Sequence, residues 1–338
     1  MFRYLVRRLL WAVLLFIVIT FVTFVVFFMA PNNPARAYCG GDNAKPACLK
    51  AATEHFGFND PIPIQYYHFL KRLVIDRSLG HSYFTGQDVN QAIAQAAPVT
   101  ASLVFGGAVL WMLIGLTVGI FSALRPRSLL DRIAMVFVLI GVSAHPVWIG
   151  LIFSYFFGFK LGDGGNLKGN WGDVTHLPIA NYANFFGAPK GSGLPGGPGQ
   201  WFLHLILPWC TFAILFAALY VRMIRANVME TLNEDYVRTA RAKGAPERRV
   251  LVRHVLRNAL LPVVTMLGMD IGLALGGAIF TETVYQLPGL GRTAILAINV
   301  NDLAIVQGVI VFSTLCIILF NLVVDLMYAW IDPRIRLT

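Results

Sequence analysis

Few residues in this chain are placed to do chemistry, and those few sit among apolar neighbours. Asp270 falls near the centre of the apolar run Ala259–Thr281. A carboxylate without a partner is costly at that depth, so it has to face a cavity or a partner, and a functional and a structural role are both open to it. His145-Pro146 stands near the middle of another run, Ile133–Phe159, with Trp148 just beyond. Proline there frees a backbone carbonyl and kinks the helix, and the freed carbonyl must line protein or water. For His145 and His204, hydrogen-bonded packing competes with a proton relay. Catalytic signatures are missing: there is no Gly-x4-Gly-Lys-Ser/Thr phosphate cradle, no His-Glu-x-x-His, no Cys-x-x-Cys and no Gly-x-Ser-x-Gly. Neither a nucleotide, a catalytic metal nor a nucleophile therefore has a local sequence signature.

The other polar concentration is a segment wedged between two apolar runs, Glu234-Asp-Tyr-Val-Arg-Thr-Ala-Arg-Ala-Lys-Gly244-Ala-Pro246, followed by Arg248-Arg249 and Arg253-His254. Asn233 is a fitting cap for a helix from Glu234 to Lys243, with acidic residues at its start and a lysine at its end. Gly244 permits a left-handed cap and Pro246 prevents continuation. On this helix Val237, Ala240, Arg241 and Gly244 share a face, which offers a small apolar stripe flanked by Thr239 and basic residues. A second helix over about Glu247–Asn258 runs into the next apolar run, so the segment reads as a short knob on two rigid arms. A solvated loop is the plainer alternative.

What positions these residues is a membrane. Of 338 residues 57% are hydrophobic and only 13% charged, with a mean hydropathy of +0.66. That leaves too little polar surface to cover a soluble globule. Six apolar runs are long enough to cross roughly 30 Å of hydrocarbon. They lie near Leu9–Ala30, Val99–Leu124, Ile133–Phe159, Trp201–Val221, Ala259–Thr281 and Leu303–Trp330. Without water to satisfy the backbone, each has to be helical. The first run exceeds the roughly 7–15 residues of a signal-peptide core, which favours a retained anchor over a cleaved leader ending at Ala35-Arg36-Ala37.

Orientation follows from the basic residues. With a cytosolic N-terminus, seventeen of the twenty-seven Lys and Arg fall on the inner side, in segments much shorter than the outer ones, and both termini are inside. The net charge of +10 is thus spread by membrane side and does not form a nucleic-acid patch.

The chain divides into an anchor helix over 1–30, an extracytoplasmic region over 31–98 with amphipathic helices, and a five-helix core over 99–338 that includes the cytosolic segment 222–258. In the outer region Ile62, Tyr66, Phe69, Leu70 and Leu73 recur at helical spacing opposite Gln65, His68, Lys71 and Arg72, as in a helix lying in the outer interface. A short helix over Val89–Ala97 leads to Pro98, and the Gly- and Pro-rich stretch 160–200 reads as an irregular loop. Cys39 and Cys48 share a Gly- and Pro-containing stretch where a disulfide closes easily, two free thiols being the alternative. Cys210 and Cys316 lie in apolar runs as packing residues. Gly115 with Gly119, and Gly268 with Gly272 and Gly276, form small-x-x-x-small stripes suited to close helix packing.

Several motifs in combination carry a resemblance: Tyr4-Leu-Val-Arg-Arg8, Phe56-Gly-Phe-Asn-Asp-Pro61, Ser82 to Pro98, Asp235 to Pro262, Glu282-Thr-Val-Tyr285, Leu287-Pro-Gly-Leu-Gly291, Val306-Gln-Gly308 and Asp332-Pro-Arg-Ile-Arg336. Over nearly its whole length the chain resembles inner-membrane permease subunits of binding-protein-dependent ATP-driven importers, within them the first permease of the oligopeptide, dipeptide and nickel branch. The resemblance implies an all-α fold with six transmembrane helices and a type I importer arrangement in a bacterial cell membrane. It also implies a homologous second permease, two cytosolic ATPase subunits that bind ATP and magnesium while this chain binds no cofactor or metal, and an extracytoplasmic substrate-binding protein. The helix matched by Tyr236, Val237, Arg238, Thr239, Ala240, Arg241, Ala242, Lys243 and Gly244 would dock into a groove of an ATPase subunit, and His145, Trp148 and Asp270 would belong to the solute pathway. The chain departs from the pattern at three places, one being that Leu261-Pro262 lies farther from Gly244 than in sugar and amino-acid importers. Arg238-Thr-Ala240 precedes Gly244 where other importers have Glu-Ala-Ala, and Pro146 stands one place later in the Ser-x-Pro-x-x-Trp pattern of the third run. Peptides are the expected cargo, with nickel chelates, glutathione and oligosaccharides as alternatives. An ion-coupled transporter would show internal repeats and several midplane acids, and an intramembrane enzyme would show convergent nucleophile and base residues; neither pattern is found.

Overall fold

Residues 2–29, 39, 45–55, 61–82, 84–160, 177–187 and 196–331 are described in a computed structural model of the chain. Among them the structure is helical, with no strand beyond an isolated bridge between His81 and Asp88. Phe56–Asp60, most of the loop 160–200 and the tail Asp332–Arg336 lie outside the described residues.

In chain order the helices are α1 (Phe2–Met29), α2 (Pro46–His55), α3 (Ile62–Val74), α4 (Val89–Leu124), α5 (Leu129–Ser143) and α6 (Pro146–Phe153), the last continued by π-helix over Ser154–Lys160. They continue with α7 (Pro198–Leu232), α8 (Asp235–Ala242), α9 (Glu247–Ala259, π-helical over Val250–Leu256), α10 (Leu261–Ala274), α11 (Ile279–Val284), α12 (Leu290–Asn299) and α13 (Leu303–Ile331). Among the described residues four helical stretches are long and apolar enough to cross a membrane: Val6–Val26, Val89–Leu124, Pro198–Leu232 and Leu303–Val324. The third and fifth runs are bent pairs instead, so the count reaches six only if each pair is one crossing.

These two pairs correct the expectation of continuous helices. Between α5 and α6 the axis turns by 106°. Pro146 bars its predecessor from helical geometry, and Ala144 (φ −84°, ψ 128°) and His145 (φ −79°, ψ 138°) are both extended. Two extended residues redirect the chain, where one freed carbonyl would only kink it. In the fifth run α9 meets α10 at a 46° bend just before Pro262, and α10 stops after 14 residues, about 21 Å of rise. It ends at Gly276-Gly277, where Gly277 has φ +131° and a Cβ would lie 2.8 Å from Gly291 Cα, so only glycine fits. Pro98 gives the opposite correction. It sits inside α4, and the expected short helix over Val89–Ala97 is the first part of that 36-residue element.

The chain forms two compact units, one of residues 1–101, 272–279 and 288–338, the other of residues 102–271 and 280–287. In the first unit, Val89, Ile93 and Ala96 of α4 pack with Leu290 and Ala297 of α12 and Ala304, Ile305, Val306 and Val309 of α13. Gly308 lets this cluster close, since a Cβ there would overlap Val89. Ser82 hydrogen-bonds the buried carboxylate of Asp302, and Thr100 Oγ1 accepts the amide of Leu290 at 2.8 Å. Gly272 and Gly276 of α10 meet α13 closely: a Cβ would lie 3.1 Å from Phe320 Cβ and 3.2 Å from Ser313 Cβ respectively. Helix α3 lies against α1, with the Tyr66 hydroxyl bonding Ile17 O at 3.1 Å and Thr20 Oγ1 at 3.0 Å, and Phe69 buried against Phe24. Cys39 and Cys48 are joined as a disulfide with Cα atoms 5.9 Å apart.

In the second unit α4, α5 and α7 pack through small residues. A Cβ on Gly115 would lie 2.9 Å from Tyr220 Cβ, and one on Gly119 3.0 Å from Ile224 Cβ. An ion pair ties the same three helices together. Arg225 of α7 reaches Asp131 of α5 with Nε at 2.7 Å and Nη2 at 3.0 Å, Ser122 of α4 bonds the same carboxylate, and the Arg127 amide donates to it at 2.9 Å. Asp131 is 5% exposed. Composition had pointed to Asp270 as the one clear acid within the apolar runs, yet Asp131, Glu282 and Asp302 are more deeply buried.

Removing Asp131 leaves the partly exposed Arg225 without its carboxylate and the three helices without their shared tie. Asp131→Ala is therefore expected to lower the thermal unfolding midpoint of the purified chain sharply, and Asp131→Leu combined with Arg225→Met to recover most of the loss. Gly119→Leu inserts a side chain into an occupied helix contact, costing about 1–3 kcal/mol, and is expected to lower the same midpoint by several degrees.

Candidate functional site

The polar knob is built around α8. Helix α7 stops at Leu232 with Asn233 as its C-cap, so Asn233 closes the preceding helix and does not cap α8 as its residue type suggested. Glu234, extended at φ −66° and ψ 145°, is the N-cap of α8 without a side-chain cap bond. Asp235 in the first turn and Arg241 in the last suit the helix dipole. The C-terminus is a Schellman closure: the Gly244 amide donates to Arg241 O at 2.9 Å and the Ala245 amide to Ala240 O at 3.2 Å. Gly244 has φ +77°, and a Cβ there would meet nothing within 4 Å, so the turn needs glycine for its backbone conformation and not for room within this chain.

The base of the knob is clamped to α9. Asn258 Nδ2 donates to Tyr236 Oη at 2.8 Å, and Arg241 pairs with Glu247 at 2.9 Å. Val237 is fully buried and Ala240 half-buried, whereas Arg238, Thr239, Arg241, Ala242, Lys243 and Gly244 are exposed. This revises the expected apolar stripe. A two-turn helix places its apolar side where water can be excluded, so Val237 anchors the knob and the outward surface is basic and hydroxylic.

The expected pathway residues are dispersed. His145 caps α6 by accepting the Val147 amide on Nδ1 at 3.3 Å, and its ring stands edge-on to Phe280 at 4.7 Å. Trp148 is exposed three residues on. Asp270 is on α10, where its Oδ2 accepts the hydroxyl of Tyr220 at 2.7 Å. Among the described residues no hydrogen bond joins Asp270 to His145 or Trp148. His204 is buried with Nδ1 2.8 Å from Gln200 O. Gly115, Gly119, Gly272 and Gly276 are at helix contacts, and Gly268 is half-buried on α10. Among the described residues no cluster of His, Cys, Asp or Glu could hold a metal.

Sequence reasoning missed Tyr220, which holds Asp270, and the junction made by Tyr285. The Tyr285 hydroxyl lies 2.7 Å from Thr211 Oγ1 and donates to Gly150 O at 3.4 Å, and Gly150 meets Val284 where a Cβ would be 3.0 Å away. In Glu282-Thr-Val-Tyr285, Glu282 and Tyr285 are almost fully buried, a signal that the motif fastens α11 onto α6 and α7. Asp131 had a readable clue in the pattern Ser128-x-x-Asp131, where Ser128 Oγ accepts the Asp131 amide at 3.2 Å.

Residues 115–337 match the family described as the binding-protein-dependent transport system inner membrane component, and residues 1–104 match its N-terminal membrane component. The chain belongs to this family of transport permeases and is a multi-pass membrane protein. It is 37% identical to a putative peptide permease protein of Brucella suis over the full length of both. With a dipeptide transport system permease protein, DppB, of Alkalihalophilus pseudofirmus it shares 35% identity, covering 99% of this chain and 100% of the relative. A glutathione transport system permease protein, GsiC, of Pectobacterium atrosepticum is 33% identical, covering 99% of each.

Burial of Val237 predicts how the knob is held. Val237→Asp places a charge at a fully buried position, and trypsin added to the detergent-solubilised protein is expected to cut at Arg238, Arg241 and Lys243 several-fold faster than in the parent.

Proposed function

We propose that this chain is one half of the translocation pathway of an ATP-driven importer of peptides. In this reading both bent pairs are membrane crossings, which makes six, and the termini lie in the cytosol. A homologous second permease completes the pore. An extracytoplasmic binding protein delivers solute to segments 31–98, 160–200 and 282–302, and two ATPase subunits carry ATP and magnesium.

The observation that carries the reading is α8 itself: an exposed, basic, sharply terminated two-turn helix clamped at its base between long apolar helices. A solvated loop has no reason to be held by a buried valine, a Tyr-Asn bond and a Schellman turn. Such rigidity lets a force on the knob reach α7 and α9, which meet again where Asn227 Nδ2 donates to Ala259 O at 3.3 Å. Arg225, two turns before the end of α7, ties the same helix to α4 and α5, so a displacement of the knob would carry that helix group with it. Peptide is favoured as the cargo because relatives across the full chain bear peptide or dipeptide permease names, and glutathione, handled by another, also carries peptide linkages.

Replacement of Gly244 tests the docking role. Gly244→Val has to adopt a positive φ at a cost of about 1–2 kcal/mol, and is expected to abolish peptide uptake in cells while chain levels in the membrane stay near normal and ATP hydrolysis by the assembled complex continues uncoupled. Gly244→Asn tolerates that backbone conformation and is expected to retain most of the uptake. Unchanged uptake with Gly244→Val would count against the docking of α8 on an ATPase.

A further inference from the structure

We propose that Asp270, held by Tyr220, is a recognition point for a cationic group of the transported solute, a protonated amine above all. The inference rests on the half-pore reading and deepens it by assigning a charge preference to one wall.

The argument begins with depth. Asp270 is the tenth of the fourteen residues of α10, about 13 Å from that helix's first residue and inside the apolar run Ala259–Thr281. Its carboxylate has one described partner, the Tyr220 hydroxyl at 2.7 Å on Oδ2. Tyr220 is 1% exposed, stands next to the buried Trp111 with ring centroids 6.1 Å apart, and is fixed on α7 by the close approach of Gly115. The hydroxyl is therefore immobilised where it sets the direction of the carboxylate. Among the described residues no ion pair forms at Asp270.

The second step is exposure. Asp270 is half-buried and borders an exposed stripe of α10 made by Pro262, Met266, Met269 and Leu273. If that stripe faced lipid, the carboxylate would border hydrocarbon with a single hydrogen bond, a costly arrangement that intramembrane acids avoid by facing the bundle interior or a watery cavity. The stripe is therefore the wall of a watery pathway. There a carboxylate with one oxygen held by a phenol has its other oxygen free to accept from a cation, and an ammonium group supplies both the charge and the donors. Met266 and Met269 suit such a wall, since their flexible thioethers adapt to side chains of different shape without adding charge.

A charge-sensing experiment tests this without knowledge of the natural solute. In the assembled transporter, with Cys210 and Cys316 replaced by alanine, Met266→Cys places a thiol one turn from Asp270 on the same side of the helix. Its reaction rates with a trimethylammonium and with a sulfonate methanethiosulfonate reagent are each normalised to a free thiol in solution. The cationic reagent is expected to be favoured by at least about tenfold, and Asp270→Asn in the same background is expected to bring the ratio close to one. Failure of both reagents to react would show the stripe covered by lipid or by the second permease and would overturn the proposal, as would a ratio unaffected by Asp270→Asn. If the Met266→Cys chain still imports peptide while showing no charge preference, the assignment of Asp270 fails and the importer reading stands.

Discussion

Inside a bilayer no water is available to satisfy a backbone amide or a charge, and among the described residues the two sharpest breaks in the apolar helices are placed where protein supplies a partner. The extended pair Ala144-His145 is followed at once by a histidine-capped helix start. The break after α10 is closed by Gly277 lying on Gly291 and by the Ser313 hydroxyl donating to Gly276 O. The buried acids obey the same constraint: Asp131 meets Arg225, Asp302 meets Ser82 and Asp270 meets Tyr220.

Strength of attachment varies with task. The ion pair of Asp131 and Arg225 is bidentate and largely withdrawn from solvent, and it fastens three helices where a single apolar contact would let them slide. The pair between Arg241 and Glu247 at the knob is exposed and worth at most about 1 kcal/mol, so Val237 and the Tyr236–Asn258 bond hold α8 in place. This division leaves the anchoring side of α8 apolar and internal while its outward side keeps charge and hydroxyls.

Reading the chain without its structure succeeded where local chemistry dominates. The amphipathic helix over Ile62–Val74, the termination of α8 at Gly244 and the close contacts at Gly115 and Gly119 each depend on residues within one or two turns, or on the absence of a side chain. It failed where two segments far apart in sequence decide the outcome. Pro98 looked like a terminator and is carried inside α4, in a helix packed against α12 and α13. Val237 looked available to a partner and is fully buried within the chain.

Composition, hydropathy and the distribution of Lys and Arg were enough to establish a polytopic membrane chain with a polar helix between apolar runs, because the cost of placing polar groups in hydrocarbon is set by residue type alone. The tertiary structure decided which acids are paired, which helices are broken and by what angle, and which side of the knob faces outward. Those outcomes follow from contacts such as Arg225 with Asp131 across 94 positions and Tyr285 with Gly150 across 135. Separations of that length leave no periodicity in a sequence, since chain folding alone brings the partners together.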